Sequence, residues 1–176
     1  MAPADAAGAP PFAGVPWLSS AVTVKAILQS KGFTFIKVDS DGDLDFSGAI
    51  NGKNVRVYAF LTPARTLVKM QVVFVTSNDE ALNYYVEMKA TLSTKYGAPA
   101  KHYEFWMDPY TEADSESEHE TALAVGKGVF SSFWEFSDGG GLYEEITKGL
   151  AVSLNYESPG WHIELQRRKN SGNSVL

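Results

Sequence analysis

Residues 38–46, VDSDGDLDF, gather four carboxylates around one glycine, a composition that could hold a cation. Calcium takes about six to eight oxygen ligands, set at alternating positions of a helix-flanked loop around an invariant glycine. With Gly42 in the glycine position, Asp39, Asp41 and Asp43 fall on ligand positions. The first ligand position then falls on Lys37, and the final bidentate acid falls on Gly48. The simpler expectation is a hairpin turn, because Asp and Ser favour turn starts and glycine tolerates positive φ. Asp39, Asp41, Asp43 and Asp45 are therefore metal candidates by composition, with calcium the one cofactor worth testing.

A second acidic stretch, TEADSESEHE at 111–120, alternates Glu112, Asp114, Glu116, Glu118 and Glu120 around His119. It could form an anionic arm for a basic partner, but charge runs are usually solvated. The expectation is an exposed loop over 108–120, with Glu116, Glu118 and Glu120 as candidate partner contacts. A zinc site needs three or four ligands in fixed geometry, and His102, His119 and His162 show no ligand spacing.

Nucleophilic catalysis has no foothold. No G-x-S-x-G elbow occurs, and Ser131 and Ser132 lie inside a strand-like run. GKG at 126–128 and GGG at 139–141 lack the following helix that would complete a phosphate site. Acidic residues are plentiful but no glycosidase-like pair stands out, so no catalytic residue is assigned. Aromatic side chains make up 12% of the chain, and Phe130, Phe133, Trp134 and Phe136 occupy both faces of one run. One face should enter the core, while an exposed Trp106 or Trp134 would offer the rigid ring area of a binding hot spot.

Periodicity supplies the scaffold for these residues. Ser19 and Ser20 precede a helix with Ala21, Val24, Ile27 and Leu28 on one side, stopped at Gly32. Strands are expected over 33–38, 44–50, 53–62 and 67–76, with Asn51-Gly52 as a tight hairpin turn. Ser77 and Glu80 have the spacing of a capping box for a second helix, which ends at Gly97 and Pro99. Further strands are expected over 101–107, 129–136, 142–147, 150–157 and 161–168, with a short helical turn over 118–125. The fold class is α+β: an antiparallel β-meander sheet with helices packed on one face. The order helix, meander, helix, meander hints at a duplicated unit, with halves 12–99 and 100–168, though no residue-level repeat supports it.

Composition narrows the partners. At 176 residues, 44% hydrophobic, one domain can bury a real core. A net charge of −6 argues against nucleic acid, which needs clustered Lys and Arg. No apolar run approaches the roughly 20 residues of a spanning helix, so membrane insertion is not expected. The absence of cysteine excludes disulfides and thiolate chemistry. MAPADAAGAPP at 1–11 reads as a disordered arm, like the start of an exported chain after signal removal. Residues 169–176 read as a flexible tail.

Three stretches carry a resemblance: KGF at 31–33, FSG at 46–48 with NGKNVRV at 51–57, and LSTKYGAP at 92–99. Together they are similar to small uncharacterised exported proteins of bacteria, especially Bacteroides-type, over about residues 14–165, with 150–156 resembling their late strand. The helix-plus-meander order also resembles the half-repeat of the β-lactamase-inhibitor-protein and outer-membrane-assembly lipoprotein folds. The shared motifs are caps, turns and core positions, so the resemblance assigns no catalytic residue. The lipidated cysteine of the lipoprotein members is absent. The resulting expectation is a non-enzymatic binding or interaction protein, periplasmic or extracellular, for a protein or small ligand. A calcium-responsive ligand-binding domain and a carboxylate-based hydrolase are the alternatives.

Overall fold

The computed structural model describes residues 8–77 and 79–173. A single antiparallel sheet organises the described residues. Its strands are β1 (Thr34–Val38), β2 (Leu44–Ile50), β3 (Lys53–Leu61), β4 (Leu67–Phe74), β5 (Lys101–Trp106), β6 (Gly128–Glu135), β7 (Gly141–Ile146) and β8 (Val152–Glu157). Their spatial order is β1-β2-β3-β4-β8-β7-β6-β5. Each meander thus runs inward from its own edge, and the two meet where β4 pairs with β8, Val72 opposite Leu154.

One face of the sheet is apolar. Across it the register aligns Leu44, Ala59, Met70, Tyr156, Leu142 and Trp134, every one of them buried. Helices α1 (Ala21–Ser30), α2 (Ala81–Tyr96) and α3 (Glu116–Ala124) cover this face. They bury Val24 and Leu28 from α1, Tyr85 and Leu92 from α2, and Leu123 from α3. A buried side chain of Leu size contributes roughly 1.5–3 kcal/mol, so this layer dominates stability. Ser20 caps α1 by accepting from the Thr23 N–H at 3.2 Å, as its residue type predicts. The Asn51-Gly52 hairpin forms with both residues at positive φ, 49° and 78°.

Two elements differ from the sequence reading. The run 161–168, expected as a strand, belongs to a helix, α4 (Trp161–Asn173). Its apolar residues Trp161, Ile163 and Leu165 alternate like a strand, but Ile163 stays 67% exposed. Glu164 instead bonds Arg167 and Arg168, one helical turn ahead, which fits period 3.6. Residues 108–120, expected as loop, contain the start of α3. Ser115 accepts from the Glu118 N–H, and the Glu118 carboxylate reaches back to the Ser115 N–H at 2.8 Å, a complete capping box. At α2 the expected box is incomplete: Glu80 itself is the N-cap, and its carboxylate lies 3.5 Å from the Ser77 N–H.

The N-terminal arm falls partly outside the described residues, which begin at Gly8. Ala9, within the stretch read as arm, is buried; its N–H donates to Asp138 at 2.8 Å and its carbonyl accepts from the Trp17 indole at 2.9 Å. These two bonds supply what an Ala/Pro composition cannot. Lys169 to Asn173, read as tail, continue α4.

Candidate binding site on the open sheet face

The face opposite α1–α3 carries the side chains that could meet a ligand. Strand alternation places Arg56, Tyr58 and Phe60 of β3 on it, opposite the buried Val55, Val57 and Ala59. In register across the sheet run Tyr58, Gln71, Asn155, Tyr143 and Phe133. A neighbouring row runs Arg56, Val73, Ser153, Glu145, Ser131 and Tyr103. On the other side lie Phe60, Lys69, Glu157, Gly141 and Glu135. The face is therefore a polar floor interrupted by upright rings.

The rings are in contact. Tyr143 and Phe133 stack at 5.5 Å, and Tyr103 meets Phe133 edge-on at 6.0 Å. Tyr103 is 51% exposed and Phe105, beside it on β5, is 44% exposed. A groove of about 510 Å³ opens here, lined by Lys101, Tyr103, Phe133, Tyr143, Glu135 and Glu157, with Gly141 in its floor. Because Gly141 carries no side chain between Glu135 and Glu157, the floor dips where β7 would otherwise raise it. Each carboxylate has a lysine: Glu135 accepts from Lys101 at 2.9 Å and Glu157 from Lys69 at 3.0 Å.

Lys69 closes the inner end. It is buried, donates to the Tyr143 hydroxyl at 3.2 Å, and lies 4.8 Å from the Trp161 ring centre and 5.7 Å from that of Phe60. Burial draws its pKa below the ordinary lysine value, and Glu157 pulls it part of the way back. Burial also raises Glu145, against the pull of Lys69. Beneath them Ser153 accepts from Gln71 at 3.1 Å and from Asn155 at 3.0 Å. Helix α4 covers the far end of this face, its Trp161 ring meeting Phe60 at 5.5 Å.

The acidic candidates have other employment. Asp39 accepts the N–H groups of Asp41 and Asp43, both at 2.9 Å, and so shapes the β1–β2 turn. Asp43 takes both arms of the Arg168 guanidinium, at 2.6 and 2.8 Å, and the Leu61 N–H at 2.8 Å. Asp45 is held by Arg56. Asp41 is exposed. Among the described residues no three His, Asp or Glu side chains converge as metal ligands. The turn is real, and the four carboxylates do not form a cage.

The partner-contact candidates separate in the same way. Trp134 is 3% exposed and donates to the Gly97 carbonyl at 2.8 Å, so it pins the end of α2 from inside the core. Trp106 is half-buried, stacked on His119 at 4.1 Å and 4°. His119 also bonds the Thr111 carbonyl at 2.8 Å, and this pair docks α3 on the sheet. Glu116 is exposed; Glu118 is spent on the cap, and Glu120 is half-buried.

One residue escaped the sequence reading. Glu144 lies on the apolar face, fully buried opposite Leu154 and Ser132, and neither carboxylate oxygen has a hydrogen-bond partner among the described residues. Burial pushes its pKa up to about 9, with Lys89 pulling down and Glu104 pushing further up. The signal was in the string GLYEEI: strand alternation from Leu142 puts Glu144 at a core position.

Compared with protein-family models, curated proteins and solved structures, the chain matches none.

Proposed function

We propose that this protein is a non-enzymatic binding module that seats its ligand on the open sheet face, in the groove over β5–β8. One observation carries the reading: stacked rings of Phe133 and Tyr143, extended by the exposed Tyr103, stand beside two lysine-paired carboxylates around the gap at Gly141. Rings supply apolar area with little rotamer entropy to lose, while paired charges and amides at the rim fix orientation. That combination fits a ligand with both an apolar face and hydrogen-bonding groups. Glu135 and Glu157 face the same groove, but the lysine at each suits them to holding a ligand better than to exchanging protons with it. An exported setting in the bacterial envelope belongs to the same reading, on the likeness of the helix-plus-meander order to exported bacterial proteins. No helix among the described residues is long and apolar enough to cross a membrane.

The test is a thermal-shift screen of saccharides, amino acids, short peptides and calcium against the protein and its Tyr103→Ala, Phe133→Ala and Asp39→Asn variants. A ligand that binds the native state raises Tm in proportion to the logarithm of its concentration over Kd. The expected hit loses its shift in Tyr103→Ala and in Phe133→Ala. A hit that shifts the unaltered protein and these two variants equally places the site elsewhere. A shift with calcium alone, abolished by Asp39→Asn, moves it to the β1–β2 turn.

A further inference from the structure

The sheet has two edges, and they are not alike. Strand β1 ends the sheet with five residues, a register shift between Phe35 and Lys37, and a lysine on the edge. Shortness, irregularity and edge lysines are what keep an exposed strand from pairing with another chain. Strand β5 pairs with β6 without a shift and, among the described residues, has no strand on its other side. Its one lysine, Lys101, stands at the very start and is paired with Glu135. Beyond it the strand presents alternating rings, Tyr103 at 51% and Phe105 at 44% exposure, with Met107 at 40% just past the end.

The free hydrogen-bonding groups can be identified. The Met107 N–H donates to the Lys127 carbonyl at 2.7 Å, so the odd-numbered residues of β5 turn their backbone toward β6. His102, Glu104 and Trp106 therefore turn theirs outward, and no described residue outside the sheet meets them. The Ala100 N–H, by contrast, turns inward to the Phe133 carbonyl at 2.7 Å, so the outward ladder starts at His102.

The geometry points to β5 as a self-association edge: two copies of this chain pair β5 against β5 about a two-fold axis through Tyr103, forming one continuous sheet. A two-fold axis normal to the sheet keeps both open faces on the same side, so each residue must oppose one of its own parity. That leaves three central registers, and charge chooses among them. Centring on Glu104 sets Glu104 against itself, and like charges directly opposed are destabilising. Centring on His102 sets His102 against itself. Centring on Tyr103 sets each His102 against the second copy's Glu104 and each Lys101 against the second copy's Phe105.

The same register uses the outward backbone groups correctly. His102 and Glu104 of opposite copies form the hydrogen-bonded pairs, and the two Tyr103 residues meet as the close, non-hydrogen-bonded pair. Glu104 has room for the contact. Its bonds from Tyr85 and Lys89 both fall on Oε1, which leaves Oε2 to accept from the imidazole. The exposed area of Tyr103 and Phe105 would be covered across the seam, and the two open-face grooves would become neighbours.

The register makes a prediction a generic dimer does not. A chain without cysteine is a clean background for engineered crosslinks. Tyr103 alone lies opposite its own copy, at a Cα separation of roughly 4.5 Å, within disulfide reach. Phe105 residues lie about 13 Å apart along the seam, out of reach. Under mild oxidation Tyr103→Cys is expected to form a covalent dimer on a non-reducing gel, and Phe105→Cys is not. Sedimentation equilibrium of the unaltered chain from about 5 to about 500 µM should show a reversible monomer–dimer step, raised at least about tenfold in Kd by His102→Pro. Ile36→Lys, on the β1 edge, should leave it unchanged. A monomer at the highest concentration, equal crosslinking by the two cysteine variants, or a dimer lost in Ile36→Lys would each overturn the assignment. The readout is association alone, so it stands or falls separately from the ligand screen.

Discussion

Glu144 is the residue with the sharpest chemical consequence. Its carboxyl is buried without a hydrogen-bond partner among the described residues and burial pushes it up to about 9, against an ordinary value of 4.5 in the unfolded chain. Between those values the folded protein holds a proton the unfolded chain has released, so stability falls as pH rises. Its contribution is fully present below the ordinary carboxylate range and is lost as pH climbs through about 9. The limiting slope for one proton is about 1.4 kcal/mol per pH unit. Urea unfolding at intervals from pH 5 to 9 should therefore show a decline in the native protein that Glu144→Gln flattens. Equal slopes in the two proteins would mean that Glu144 is ionised or solvated in the folded state.

At the scale of elements, α4 is tied to the sheet by charge as well as by its Trp161 ring, and α3 begins at a side-chain cap. Arg168 joins α4 to the sheet through Asp43 and the Leu61 carbonyl, and within α4 it also bonds Glu164; both acids are 4% exposed. Removing the arginine leaves the buried Asp43 without its counter-charge, while Glu164 keeps Arg167, and an unpaired buried charge typically costs about 3–5 kcal/mol. Arg168→Met is expected to fall in that range by chemical denaturation. Arg167→Ala, at an exposed guanidinium, should cost under about 1 kcal/mol. A small effect at Arg168 would mean that α4 is docked by Trp161 alone. Helix α3 depends on its cap: Ser115→Ala should destabilise it by about 1 kcal/mol and speed amide exchange over Glu116–Ala124 before the sheet opens. The cap was readable as Ser115 followed by Glu118, but the surrounding acidic run masks the spacing with charge. The alternation of Trp161, Ile163 and Leu165 misleads in the opposite sense, because a short helix that packs through one ring and a salt bridge need not show helical periodicity.

For the whole molecule, the strand order decides which surfaces are available. Placing β4 beside β8 turns two meanders into one sheet, brings Lys69 to Glu157, and builds the open face from residues far apart in the chain. It also sends β1 and β5 to the two edges, which is why, among the described residues, those two strands are the ones that leave one side of their backbone unpaired. The ligand screen and the cysteine crosslinks test these surfaces independently.

Local structure was legible in the residues alone: the Ser20 cap, the Asn51-Gly52 turn, the alternation in β3 and the four-strand order of the first meander. Each rests on contacts between residues close in the chain, where propensity and spacing are sufficient physics. The mismatch between the turn at 38–46 and the register of a calcium loop was legible in the same way. The work of the charges was not, and it took the folded molecule to settle it. Asp43 finds Arg168 across 125 positions, and Lys69 finds Glu157 across 88, so neither pairing leaves a local trace. Nor does the split between Trp134, sealed under α2, and Tyr103, open on β5, follow from residue type. Burial depends on which elements lie above a strand, and that is fixed by long-range packing, not by spacing.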